Sequence, residues 1–149
     1  MEIPGTVSEI LTHKPPEVWS VGPDSMVFQA IQLMAEKNVG ALPVLEGTGL
    51  IGIISERDYA RRVILMGRSS RDTPVREIMS RNLHVAELDD TIVDCMRVMT
   101  NRKIRHLPVL QGRELVGIIS IGDLVNWIIS AQSSAIDQLE KYITGAYPA

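Results

Sequence analysis

The sequence predicts an α/β (α+β) fold: two β-α-β-β-α units packed with pseudo-twofold symmetry. Three observations predict it. Sliding the chain by 65 residues superimposes 24–58 on 89–123 without a gap, and 13 of those 35 positions are identical. In each copy an apolar stripe at helical spacing is followed by two short apolar runs separated by glycine. Finally, "GIISERD" (52–58) returns as "GIISIGD" (117–123).

Taken in chain order, "VSEIL" (7–11) matches "VREIM" (75–79), each a short helical turn, at an offset of 68. Three extra residues therefore lie in the first copy, around "HKPPEVW". A short strand is predicted around Trp19–Val21 and again around His84–Ala86. Val27, Ala30, Ile31 and Met34 then stand at i, i+3, i+4 and i+7, as do Ile92, Cys95, Met96 and Met99. Both sets read as the buried stripe of a helix, with Asp24 and Asp89 as candidate caps. "ALPVL" then "LIGIIS", and "HLPVL" then "LVGIIS", read as strand, turn and strand. A second helix is expected after each Ser-x-x-Asp, over Tyr59–Met66 and Leu124–Ile129.

These elements divide the chain into a first unit at 1–66, a polar linker "GRSSRDTP" at 67–74 and a second unit at 75–130. A helical tail at 131–149 carries Ile136, Leu139, Tyr142 and Ile143 at helical spacing and ends at Gly145. Units of roughly 60 residues or fewer bury too little surface to be stable alone, so the two copies are expected to share a core.

The 149 residues are 45% hydrophobic, ordinary for a globular protein. Fifteen Lys and Arg against 18 Asp and Glu give a formal charge of −3, which argues against general nucleic-acid binding but leaves room for a local basic cluster. Cys95 is the only cysteine, so no internal disulfide forms; aligned with Ala30 on the buried stripe, it reads as a packed thiol. His13, His84 and His106 are scattered without metal-ligand spacing, and no metal site is expected. With no signal peptide and no long apolar run, the expected location is the cytoplasm, without membrane contact. The sequence leaves open that an organellar transit peptide has been removed.

The repeated string has two readings. Ser55 with Asp58, and Ser120 with Asp123, form a capping-box variant, in which serine accepts from a helix N–H and the acid reaches back to the cap. The same corner suits a nucleotide. A helix N-terminus attracts phosphate, and an acid there accepts hydrogen bonds from the vicinal hydroxyls of a ribose. Gly52 and Gly117, without side chains, would let a flat base approach the strand.

With "ALPVL…GIISERD" and "RHLPVL…GIISIGD" in a double β-α-β-β-α unit, the chain resembles a tandem pair of cystathionine β-synthase (CBS) domains, often called a Bateman module. It is most similar to stand-alone CBS-pair proteins that carry "SERDYAR" after the first unit and "SIGD" after the second. The resemblance covers almost the whole chain. It implies an adenosine ligand (AMP, ADP, ATP or NAD(H), with S-adenosylmethionine less favoured) in clefts between the sheets, and no catalytic cofactor. Asp58 and Asp123 would hold ribose, and Ser55 and Ser120 ribose or phosphate. Val18, Val21, Leu83 and Val85 would flank the adenine.

The residues before "LPV" in such proteins are often basic and face phosphate bound mainly by the other unit. Only the second copy fits, with Arg105 and His106 where the first has Gly40 and Ala41. On this reading the pocket of Ser55 and Asp58 is the tighter one, with Arg57 a further phosphate contact. A solvated cluster with Arg102 and Lys103 is the alternative for Arg105 and His106, and a solvated helix face accounts for Arg57 and Arg61 almost as well.

The expected function is a nucleotide-responsive regulatory module, not an enzyme, that passes its signal to a separate partner. A homodimer is expected through apolar helix faces formed by Tyr59, Val63 and Met66 and by Leu124, Val125 and Ile128. Two other readings remain open: a structural adaptor with vestigial pockets, and a nucleotide-processing enzyme. The sequence argues against the latter, because it contains no nucleophile–base pair, metal cluster or Walker loop.

Overall fold

The computed structural model describes residues 3–143, apart from the side chains of 134–136, 138, 142 and 143. Helix α1 (Val7–Thr12) is followed by α2 (Val27–Lys37), β1 (Ala41–Glu46), β2 (Gly49–Ser55) and the short α3 (Glu56–Tyr59). A π-helical turn (Ala60–Ile64) and a 3₁₀ turn (Val75–Glu77) lead into the second copy. That copy contains β3 (Ala86–Glu87), α4 (Ile92–Arg102), β4 (His106–Gln111), β5 (Glu114–Ser120) and α5 (Ile121–Ile143). The mixed α+β order matches the predicted fold class.

Strands β1 and β2 pair antiparallel, Ala41 opposite Ser55 and Val44 opposite Gly52. Val21 bridges to Val44 in parallel, so the expected first strand is reduced to a single bridge; the other sheet runs β3-β4-β5. Pro43 costs β1 no ladder bond. Its carbonyl accepts from Val21 N–H and its position faces Ile53, whose own N–H is given to Ser80 O.

The described residues cluster into two compact units, and these cut across the sequence repeat. One contains Glu17–Val85 and Pro108–Ile118. Its core is Val27, Ala30 and Met34 of α2, Leu42 and Val44 of β1, Ile54 of β2, and Val63, Val75, Ile78 and Met79. The 3₁₀ turn, which opens the second copy in sequence, thus packs in the unit of the first. Val75 N–H donates to Ser25 O (2.8 Å) and Val27 N–H to Thr73 O (2.8 Å). The stretch 67–74 is consequently more than a slack connection. Its carbonyls at Thr73 and Ser70 accept from the free N–H groups of Val27 and Phe28 at the start of α2, and Thr73 is buried.

The other unit contains 3–16, Ala86–Leu107 and 119–143. Here the leading turn of the first copy meets the helices of the second. Val7 N–H donates to Asp90 O (2.9 Å) and Ile92 N–H to Gly5 O (3.2 Å), the same exchange in mirror roles. Its buried side chains include Val7, Ile10, Ala86, Ile92, Cys95, Met99, Leu107, Ile119 and Leu124. Trp127 closes over the N-terminal segment, its Nε1–H donating to Pro4 O (2.8 Å). Burial, with Asp90 and Asp94 nearby, pushes the Cys95 thiol up to about 11, which keeps it protonated.

Three expectations need correction. Asp24 and Asp89 do not cap the helices: the caps are Met26 and Thr91, and Thr91 Oγ1 accepts from Asp94 N–H (3.1 Å). Asp24 instead pairs with Arg76 (2.7 Å). The tail is not a separate helix, because α5 runs unbroken through 121–143; no Gly or Pro interrupts it between Gly122 and Gly145. Its end at Gly145 lies outside the described residues. Lastly, Val63 and Leu124 are buried, since an amphipathic stripe serves its own core first. The exposed apolar side chains among the described residues here include Ile64 and, in the turn after it, Leu65 and Met66, and on α5 Val125, Ile129 and Leu139.

Candidate functional site

Each Gly-Ile-Ile-Ser-x-x-Asp string turns a strand into a helix, and the two corners are built alike. At the first, Ser55 N–H donates to Asp58 Oδ2 (2.9 Å), Ser55 Oγ–H to the same oxygen (3.0 Å), and Asp58 N–H to Ser55 Oγ (3.2 Å). At the second, Ser120 N–H donates to Asp123 Oδ2 (2.8 Å) and Asp123 N–H to Ser120 Oγ (3.1 Å). Both are reciprocal capping boxes, so the structural reading of the motif is realised in full. The geometry also fixes both carboxylates at helix starts, half-buried, as preset acceptors.

A second repeated bond decides what stands beside each corner. Glu56 N–H donates to Gly40 O (3.1 Å) and Ile121 N–H to Arg105 O (2.8 Å). The residues before "LPV" are therefore tied to the Ser-x-x-Asp of their own copy. Gly40 and Ala41 stand beside Ser55 and Asp58, whereas Arg105 and His106 stand beside Ser120 and Asp123.

The second corner is also the more charged. Lys14 Nζ lies 2.7 Å from Asp123 Oδ2, joining residues 109 apart in sequence. Burial holds the His106 imidazole below its ordinary value near 6.5. The Asp123 carboxylate works against that shift, and the charges of Lys14 and Arg105 reinforce it. Asp123, Lys14, Arg105 and His106 thus form one electrostatic cluster within one unit.

Sequence reasoning missed Lys14. The available signal was its place in "HKPPEVW", the stretch around which the first copy carries three extra residues.

The remaining candidates are dispersed. Val18, Val21, Leu83 and Val85 all belong to the unit of the first motif; the first three are half-buried and Val85 is exposed. Val21 packs against that unit's core. Arg57 is exposed at the first corner. Gly117 is buried in β5. At Gly52 it is the protein chain that comes close: a Cβ there would stand 2.7 Å from Met79 Sδ and 3.0 Å from Ser80 O. Among the described residues, no group of three or more His, Cys, Asp or Glu side chains is placed to hold a metal ion, and no helix is long and apolar enough to cross a membrane.

The doubled β-α-β-β-α chain, with a capped carboxylate at each strand-to-helix corner, is the arrangement of a tandem domain pair. The CBS domain family model matches residues 7–65 and 75–130, and the chain belongs to that family. It is 38% identical over 129 residues to the CBS domain-containing protein CBSX3, mitochondrial, of Arabidopsis thaliana. That match takes in 83% of this chain and 63% of the relative's length. A solved CBS-domain protein of Burkholderia ambifaria superimposes with a TM-score of 0.83 at 46% identity, over 86% of this chain and 96% of the other. The CBS pair of protein MJ0100, solved with 5′-methylthioadenosine and S-adenosyl-L-methionine, superimposes with a TM-score of 0.73 over 82% of this chain and 94% of that one. At 24% identity, that likeness is one of fold.

Proposed function

We propose that the chain is a regulatory module, not an enzyme, that binds an adenosine nucleotide at its Ser-x-x-Asp corners and reports the occupancy to a separate partner. One observation carries the reading: a preset ribose-type acceptor, Asp123, with Arg105, His106 and Lys14 around it. A carboxylate suits two sugar hydroxyls, and the basic side chains suit a phosphate attached to the same sugar. The adenosine-type ligands of the MJ0100 pair, which has the same fold, support the ligand class.

Because the basic residues stand with Ser120 and Asp123, this corner is the stronger phosphate site. The Ser55 and Asp58 corner, beside Gly40 and Ala41, relies on Arg57 and on the adenosine half, with Val18, Val21, Leu83 and Val85 the apolar candidates for the base. Charge-assisted hydrogen bonds contribute on the order of 1.5–3 kcal/mol each, enough to separate two otherwise similar sites by tenfold or more. This ordering is the reverse of the sequence expectation.

Regulation requires a ligand that binds two states unequally. We place the module in the cytoplasm as a homodimer, with Ile64, Leu65 and Met66, and Val125 and Ile129, as the apolar surface available for self-association.

A thermal-shift panel of AMP, ADP, ATP, NAD+, NADH and S-adenosylmethionine tests the ligand class. A ligand at 100 times its Kd that binds only the native state stabilises it by about 2.7 kcal/mol. A phosphorylated adenosine ligand is expected to raise the melting temperature; no shift with any of them at millimolar concentration contradicts the proposal. Recovery of each ligand unchanged separates a sensor from an enzyme.

A further inference from the structure

We propose that Lys14 makes the Asp123 corner select nucleoside phosphates over the bare nucleoside. This rests on the nucleotide reading above and adds a determinant of specificity to it.

Lys14 reaches Asp123 from the N-terminal segment, and that segment is anchored. The Trp127 indole holds Pro4 O, and the His13 ring meets the Trp127 ring edge-on at a centroid separation of 6.0 Å. Gly5, at φ +119°, lies so close to Trp127 that a Cβ there would stand 2.5 Å from Nε1. The ammonium is therefore delivered to the carboxylate by a segment fixed on α5. Both partners of the pair are about one-quarter exposed, so a ligand has access to them.

The pair affects the two ligand classes differently. A ribose that takes Asp123 as its acceptor competes with Lys14 for the same carboxylate. A bare nucleoside offers the displaced ammonium no anion in return. A nucleoside phosphate does, and the flexible four-carbon stem of lysine lets the charge follow the phosphate without moving the segment. Lys14 thus penalises the nucleoside and assists the phosphate. At the offset of 68 that aligns the two leading turns, Lys14 falls opposite the uncharged Asn82.

The test is calorimetry of AMP and of adenosine on the full chain in an Asp58→Ala background, which isolates the Asp123 corner. The readout is the ratio of the adenosine Kd to the AMP Kd. Lys14→Met and Lys14→Gln are each expected to lower that ratio about tenfold, with adenosine binding more tightly and AMP more weakly. Lys14→Arg, which keeps the charge, is expected to restore the ratio. An unchanged ratio in both neutral variants, with AMP still bound, overturns the role of Lys14 and leaves the nucleotide reading standing. No AMP binding in the parent chain removes the nucleotide reading itself. Binding in the parent that is lost in the Asp58→Ala protein keeps that reading and overturns the Asp123 corner, and the role of Lys14 with it.

Discussion

At the scale of single residues, the account depends on the surroundings of Asp123. His106 is the titrating group there, and its response to pH has a definite sign. Burial depresses its folded-state pKa below the unfolded value near 6.5. The unfolded chain therefore binds more protons than the native one just below that pH, and this part of the stability is lost as pH falls through the window. A phosphate beside the imidazole acts the opposite way, because its charge favours the protonated ring. The imidazole is then expected to take up a proton when AMP binds at a pH below its ordinary value of 6.5, a contribution separate from the titration of the phosphate itself at about 6. Calorimetry in buffers of different ionisation enthalpy measures the uptake, and His106→Gln should abolish the imidazole's share. Equal uptake in parent and variant would assign the proton elsewhere. Asp58 and Asp123 are legible in the sequence because the repeat places them by arithmetic. Arg105 and His106 stand out only through the family resemblance, since the first copy has Gly40 and Ala41 there. Lys14 is not legible, since an ion pair across 109 residues has no local signature.

Among the elements, the repeat made most of the helices and strands readable and concealed where they dock. Period located α2 and α4, which each bury one face, and short apolar runs around a glycine turn located both strand pairs, whose first strands are buried at consecutive positions. The caps were misread, since an aspartate two residues early looks as suitable as the Thr91 that does the capping. The stretch 67–74 was read as a linker because it is polar, yet its backbone carbonyls close the start of α2. Gly52 is the clearest element-scale test. Its missing side chain makes room for Met79 and for the Ser80 carbonyl, and Ile53 exchanges backbone hydrogen bonds with Ser80 at the edge of β2. Gly52→Ala should destabilise the protein by about 1–3 kcal/mol, the usual cost of overfilling a packed site. Chemical denaturation measures it. A neutral result would mean that the 78–80 segment yields freely, against the packing described.

For the molecule as a whole, the repeat has a meaning that neither copy has alone. The leading turn of each copy packs in the unit of the other: Val7 with Asp90 and Ile92 with Gly5 in one unit, Val75 with Ser25 and Val27 with Thr73 in the other. A self-similar sequence shows two such turns without showing which helix each one joins, so the exchange became visible only in three dimensions. The sequence places Arg105 and His106 as phosphate contacts for the Ser55 and Asp58 pocket, whereas the backbone bond from Ile121 to Arg105 stands them beside Ser120 and Asp123. The central claim is that the two corners are unequal and that the Asp123 corner is the stronger phosphate site. The most direct measurement is titration calorimetry of AMP on the parent chain, on Asp123→Ala and on Asp58→Ala, with the fold of each variant checked by its melting curve. The account expects Asp123→Ala to abolish the tighter binding event and Asp58→Ala to leave it in place. Loss of the tighter event in Asp58→Ala alone, with Asp123→Ala unaffected, would contradict it.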